Sequence, residues 1–338
     1  MQHLFSPVTH FFKANIHAHS TLSDGKLTPK QVKEAYKSRG YSILCLTDHN
    51  VVADHSDMNE PDFLMLTGVE VDTAAAGSTT RRQTYHLNLI AKHPDLLWQP
   101  WPWPWPSDRL TAEAAALLEK AEIGSMSRES TPEAVNAVIA AANEKGFLVT
   151  YNHPEWSLQS YPDYTPLKGL WGMELSNYGS SVMGYNDRNN AIVYRDLSNL
   201  GNRLVPLGTD DCHSTRDLCG AWIMVGAEKL EYASVIEAME RGNLYASTGP
   251  EIYSLTFDGT AVSLRCSDAR SVTLETSNRF ARIATPVHND GLLREATLDI
   301  GPWLTLTENS PDDWFRIVVH GPYGHYAATR AYFRKELK

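Results

Sequence analysis

The 338-residue chain carries 30 Lys and Arg against 40 Asp and Glu, a formal charge of −10, with 42% hydrophobic and 21% charged residues. That composition is globular and long enough for one large domain plus a small one. The negative balance argues against a long nucleic acid as the main partner, because phosphate contacts need a basic field, while a metal cluster would add the positive charge needed for a small anionic substrate.

In chain order, the first informative stretch is Asn15-Ile16-His17-Ala18-His19-Ser20, closing on Asp24-Gly25. Side chains alternate along a strand, so His17 and His19 share a face and can reach one metal ion. Thr28-Pro29-Lys30-Gln31 reads as a capping box with proline at the first helical position, and Gly40 ends that helix. Apolar strands follow at 42–46, running into Thr47-Asp48-His49-Asn50, at 63–66, running into Gly68-Val69-Glu70, and at 85–90, which contains His86. Trp98 to Pro106 alternates tryptophan with proline and predicts an extended loop, since proline lacks a donor and restricts its predecessor. A helix from Thr131-Pro132 leads to a strand at 147–151 ending in Asn152-His153-Pro154. Strands at 170–175 and 204–207, with a helix over about 187–200 between them, lead to Gly208-Thr209-Asp210-Asp211-Cys212-His213. This rhythm predicts a barrel-like parallel α/β domain over 1–249, with a Trp-Pro insertion at about 93–110. Past Ser247-Thr248-Gly249-Pro250 the helical signals stop, and alternating segments at 271–276 and 314–319, with turn signals at Asp258-Gly259, Asn289-Asp290-Gly291 and Tyr323-Gly324, predict a small β-sandwich-like domain over 250–338. Its histidines, His288, His320 and His325, do not recur at ligand spacing. The cysteines, Cys45, Cys212, Cys219 and Cys266, lack Cys-x-x-Cys spacing and no long apolar run opens the chain, which predicts a reduced cytoplasmic protein without a membrane span.

Barrel-like α/β enzymes gather the residues at C-terminal strand ends at one mouth. Here those residues are His17, His19, His49, Glu70, His86, His153, Asp211 and His213, with Asp24 in the first loop. A lone strand-end histidine is most simply a hydrogen-bonded structural residue, but chance does not place so many together. They are too many for one tetrahedral zinc. Mixed histidine and carboxylate sets of this size suit two or three divalent ions, with zinc, iron and manganese as candidates.

His17-x-His19 with Asp24, Thr47-Asp48-His49-Asn50, Gly68-Val69-Glu70, Tyr85-His86-Leu87, Asn152-His153-Pro154 and Asp211-x-His213 resemble, in order, the motifs of the PHP (polymerase and histidinol phosphatase) superfamily. The likeness spans about residues 13–250. Gly242 to Pro250, followed by a β-rich tail, is similar to the CehA/McbA-like metallohydrolase branch. The superfamily resemblance implies a distorted (β/α)7 barrel with a trinuclear metal centre. It implies that His17, His19, Glu70 and Asp211 hold one ion, Asp24, His49 and His213 a second, and Glu70, His86 and His153 a third, with Glu70 bridging. Aspartate at position 24, where some relatives have histidine, shifts the second site toward iron or manganese. The implied reaction is hydrolysis of a small phosphate monoester by a metal-bridging hydroxide. The same chemistry on an ester, carbamate or amide is the alternative, and a non-catalytic metal-containing binding module is the third reading.

Other candidates follow from position. Arg216 and Arg128 suit bidentate contact with phosphate. Asp210 and Asp48 suit orienting an imidazole or donating a proton to the leaving group. Asn50 and Asn177 suit a substrate contact, with turn hydrogen bonding as the equal alternative. Trp101, Trp103 and Trp105 lie in the loop after the strand of His86, where they either wall the mouth and stack on a flat ring or pack on Trp98 and neighbouring helices within an insertion that the prolines rigidify. Cys212 alternates away from its neighbours and reads as a packed thiol.

Overall fold

The computed structural model describes residues 1–6, 10–74, 83–287, 291–306, 310 and 312–338. His288 and the Asn289-Asp290 turn signal lie outside the described residues.

The helices begin where their caps require. Thr28 accepts a hydrogen bond from the Gln31 N–H while the Gln31 side chain accepts one from the Thr28 N–H, opening the helix Pro29–Lys37. Thr131 caps Pro132–Lys145, which ends at Gly146 with φ 101°, a conformation that carries no steric penalty without a Cβ.

The strands of the first domain are β1 (His10–Asn15), β2 (Ile43–Cys45), β3 (Leu64–Leu66), β4 (Gly68–Asp72), β5 (His86–Ala91), β6 (Phe147–Tyr151), β7 (Gly172–Asn177), β8 (Val205–Thr209), β9 (Trp222–Ala227) and β10 (Leu244–Ser247). Strands β1 to β3 run parallel, and β8-β7-β6-β5-β4 form a second sheet. These sheets touch through the isolated bridges Ala18–Cys212 and His49–Glu70 and do not close into the expected (β/α)7 barrel. The chain leaves extended geometry where closure would need it, at Asn50 (φ 53°) and Asp211 (φ 50°), so the ladder stops there. The parallel alternation is broken as well. Strand β5 is antiparallel to both β4 and β6, and β9 is antiparallel to β1. No helix lies among the described residues between Asp72 and His86, so β5 has no crossover to return it parallel.

The tail forms the expected sandwich. Strands β11 (Ile252–Phe257), β12 (Ala261–Ala269) and β15 (Leu293–Asp299) make one sheet together with Gln2–His3. Strands β13 (Ser271–Thr276), β14 (Ala281–Ala284), β16 (Trp314–His320) and β17 (Tyr326–Thr329) make the other. Burial alternates along β13, with Val272 and Leu274 packed against Leu255, Leu264, Ile317 and Trp303. The second sheet runs on without interruption, because β17 pairs with β10 (Tyr245 opposite Thr329), and β10 leads through β9 to β1. Tyr245 also sits in the sandwich core. Among the described residues no helix is long and apolar enough to cross a membrane.

Candidate metal centre

His17 and His19 project from the extension of β1, and both are fully buried. They face Glu70 in the middle of β4 and Asp211 just past β8. His17 Nε2 lies 3.2 Å from Glu70 Oε2 and 3.2 Å from Asp211 Oδ1, and His19 Nε2 lies 3.2 and 3.0 Å from the same two atoms. None of the four atoms has a hydrogen-bond partner, although all are buried. Two ligand atoms each about 2.1 Å from one ion are about 3.0 Å apart at a right angle and about 3.4 Å apart at the tetrahedral angle. The four atoms are thus spaced as the ligands of one cation. His49 Nδ1 and His19 Nδ1, also buried without partners, extend the group. A buried polar atom left unmatched costs about 1–3 kcal/mol, so the five that gather round Glu70 Oε2, with His19 Nδ1 turned to Asp24 on the other edge of its ring, fit metal ions.

Asp24, His49 and His213 gather beside His19 as a second group. His213 Nε2 is 3.3 Å and His49 Nε2 4.0 Å from Asp24 Oδ2. Glu70 divides its oxygens between the groups. Oε2 faces His17, His19 and His49, while Oε1 meets His86 Nδ1 at 3.1 Å and His153 Nε2 at 3.4 Å. The third group unites Glu70 with His86 and His49, whereas His153 leans toward His17 and Glu174. Burial works against protonating His19, but the carboxylates of Asp211 and Glu70 facing its Nε2 outweigh it and raise the imidazole to about 10. His17 is likewise held well above its ordinary value against burial, chiefly by the charge of Asp211 and Glu70. Both carboxyls are held far below theirs, against burial, by the imidazoles facing them. The field here selects for added positive charge, whether a proton or a metal cation.

Strand direction explains how His86 arrives. It opens β5, and because β5 is antiparallel its first residue pairs with Asp72 at the end of β4. Had β5 run parallel, a His at its start would lie roughly 15–20 Å away, at about 3.3 Å per residue.

The other candidates separate. Asp210 turns its buried carboxylate away from the ligands and accepts the Tyr36 hydroxyl and the N–H groups of Cys219, Gly220 and Ala221. Burial pushes it up to about 6 against the pull of those donors. Asp48 accepts from Ser20 and Ser23 and pins the first loop. Arg128 and Asn50 both engage Asp72, at 2.8 and 2.5 Å, and Asn50 also accepts the Trp101 Nε1–H. Arg216 lines the mouth, with its side chain 65% exposed and its Nε on Asp217. Asn177 donates to Glu174 and Asp211 and caps the short helix Tyr178–Val182. Trp101 is buried, Trp103 packs beside Leu22 and Val51, and Trp105 stands perpendicular to His49 at 5.8 Å. Cys212 is a buried free thiol.

Two residues at the site were not singled out in the sequence. Glu174 is fully buried in β7. Its Oε1 contacts His17 Nδ1 and accepts from Thr209 Oγ1, both at 2.6 Å, and its Oε2 accepts the His153 N–H at 2.8 Å. Trp156 stands perpendicular to His86 and His153, at 5.3 and 5.0 Å. A glutamate interrupting an apolar strand and a tryptophan three residues after a candidate ligand were the available signals.

An α/β domain with clustered histidine and carboxylate ligands at its strand ends defines a multi-ligand site for divalent cations. Residues 15–97 match the model of the PHP domain. It is similar to a 5'-3' exoribonuclease of Haemophilus influenzae, 35% identical over 115 residues, which covers 33% of this chain and 41% of that enzyme. The chain therefore matches less than half the length of that relative. Among solved structures, a two-domain protein from Bacteroides vulgatus containing a predicted PHP-like metal-dependent phosphoesterase shares 16% identity and a TM-score of 0.45, covering 98% of both chains. An amidohydrolase from Chromobacterium violaceum with bound sulfate shares 16% identity and a TM-score of 0.35, covering 60% of this chain and 88% of its own.

Proposed function

We propose that the chain is a metal-dependent hydrolase that cleaves a small phosphate monoester. The observation that supports this most is a set of buried ligand atoms without hydrogen-bond partners, on His17, His19, His49, Glu70 and Asp211, of which His49, Glu70 and Asp211 line a cavity of about 250 Å³. Divalent ions bound there supply Lewis acidity and a water-derived nucleophile. His17, His19, Glu70 and Asp211 hold one ion; Asp24, His49 and His213 a second; Glu70 and His86, with His153 nearby, a third. Glu174 keeps the His17 proton at Nδ1, so that Nε2 presents its lone pair to the site. Arg216, at the rim, exchanges Asp217 for a phosphate oxygen. In the net reaction the oxygen of water joins phosphorus, the ester P–O bond breaks and the alcohol leaves with a proton.

The likeness to an exoribonuclease brings phosphodiester substrates into range, but the formal charge of −10 and the small cavity favour a small molecule over a long nucleic acid. The narrower likeness to the CehA/McbA-like branch supports the alternative, cleavage of ester, carbamate or amide bonds. A panel of chromogenic phosphate and carboxyl esters, run with manganese, iron and zinc, is the test. Phosphate release is expected. Turnover of carboxyl esters alone transfers the chain to the alternative, and no turnover with ions bound leaves a binding module. Elemental analysis should find two to three ions per chain, and Glu70→Gln should lose both metal and rate; one ion or none in unstripped protein would sink the trinuclear arrangement.

A further inference from the structure

The mouth of the metal centre has a composition that the ligand set does not require. Apart from Asp24, His49, Glu70, His86, His153, Asp211 and His213, the cavity is lined by Trp156, Gly179, Met183, Arg216 and Asp217. Arg216 and Asp217 satisfy each other. What remains to meet the organic part of a substrate is an indole, a thioether and a glycine. Met183 is 51% exposed although it is a large apolar residue, and Trp156 is only half-buried. Gly179 has no freedom to be anything bulkier, since a Cβ there would lie 2.8 Å from the Asp210 carbonyl oxygen and 2.9 Å from that of Asp211.

A second indole stands beside the mouth, against the lining residue His49 rather than in the lining itself. The rings follow one another as Trp105, His49, His86 and Trp156, with centroid spacings of 5.8, 5.4 and 5.3 Å and interplanar angles of 84°, 80° and 78°. Trp103 braces Trp105 edge-on at 4.7 Å. Among the described residues no ring lies parallel to either Trp105 or Trp156. Both indoles are thus fixed by perpendicular contacts to metal-ligand candidates, and neither has a parallel ring stacked on it. Aromatic faces left without a partner at a site mouth suit a flat ligand, and methionine adapts its shape to one.

We propose that Trp156, with Met183 and Trp105, is the specificity-determining element of this site and selects substrates whose leaving group carries a flat ring beside the charged group. The proposal rests on the hydrolase reading for the word substrate, but the ring preference is a binding property of its own. A cavity of about 250 Å³ lies just under the roughly 300–1,000 Å³ of drug-sized pockets. That volume suits one anionic group and one small ring system.

The test is calorimetric binding of phenylphosphonate and methylphosphonate to manganese-loaded protein. These probes share the anion and differ only in the ring, and neither is hydrolysed, so the comparison is independent of which ester the chain cleaves. Failure of the hydrolase reading would appear separately, in the turnover panel. Phenylphosphonate should bind tighter by roughly tenfold, the scale of one aromatic stack. Trp156→Ala should remove most of that advantage, read as the ratio of the two affinities, and Trp156→Phe should keep most of it. If Trp156→Ala sheds metal on elemental analysis, Trp156→Leu and Trp105→Ala supply the same ratio. Equal affinities in the unaltered protein, an advantage that survives in the variants, or no binding of either probe overturns the proposal.

Discussion

Glu174 shows how far the behaviour of one side chain depends on what surrounds it. Two hydroxyl or imidazole contacts at 2.6 Å and a backbone N–H at 2.8 Å occupy a carboxylate with no solvent access. Replacing it by glutamine keeps the shape but removes the charge that fixes the His17 proton. Glu174→Gln should therefore fold and bind metal roughly 10–100-fold more weakly, the usual scale for a partner of a ligand histidine, as read by competition with a chromogenic chelator; unchanged affinity would reduce Glu174 to a packing role. His19 sets a pH signature. In stripped protein its imidazole titrates near 10 against 6.5 when unfolded, so the stabilisation it gives is complete below pH 6.5 and is lost as pH rises through 10. With an ion on Nε2 the folded state holds a neutral ring, and stability falls instead as pH drops below about 6.5. Thermal midpoints of stripped and loaded protein should slope in opposite directions with pH, and parallel slopes would remove His19 from the ligand set. The candidate ligands were legible because histidines and carboxylates recur where the strands were expected to end, and His-x-His spacing follows from strand geometry. Glu174 was not, since its partner lies 157 residues away in sequence and a single acid in an apolar strand has no period to betray it.

At the level of elements, direction mattered more than identity. The strand containing His86 is where the sequence places it, but its antiparallel course is a property of pairing partners, which hydrophobic pattern does not encode. The same holds for barrel closure: each strand exists, and the left-handed residues Asn50 and Asp211 that interrupt pairing carry no signature in the residues around them. Three of the six non-glycine residues with positive φ among the described residues, Asn50, His153 and Asp211, border the candidate site, and such residues cost roughly 1–3 kcal/mol each. The short helix Tyr178–Val182 packs onto this strained turn through Gly179. Gly179→Ala should push the helix off Asp210 and Asp211, lower the thermal midpoint and reduce metal content; an alanine protein with full metal would mean the contact yields easily. The Trp-Pro run divides by residue in a way that composition cannot reveal. Trp101 is a buried donor to Asn50, while Trp105 reaches the rim.

Over the whole molecule the two predicted regions share one sheet. A chain ending at Gly249 would strip β17 from β10 and leave Tyr245 without the sandwich core around it. Such a fragment should be insoluble or molten by circular dichroism; a soluble, metal-binding fragment would show the first region folding alone. Chelation of the intact chain should lower its midpoint and readdition restore it, by about 2.7 kcal/mol for each ion supplied at a hundred times its dissociation constant. A change of periodicity near residue 250 is readable, whereas the pairing of residues 245 and 329 is a long-range fact that no window of sequence contains. That pairing also bears on synthesis. At about 5–20 residues per second, the ribosome delivers Thr329 roughly 4–17 s after Tyr245, and until then β10 waits as a bare edge with its hydrogen-bonding groups open to any passing strand. Gln2–His3 waits almost as long as the whole first region takes to make, since its partners are Thr256 and Phe257. The nascent chain is therefore most exposed to mispairing late in translation, and slowing the ribosome between codons 250 and 329 should raise aggregation more than an equal pause anywhere before Ser247.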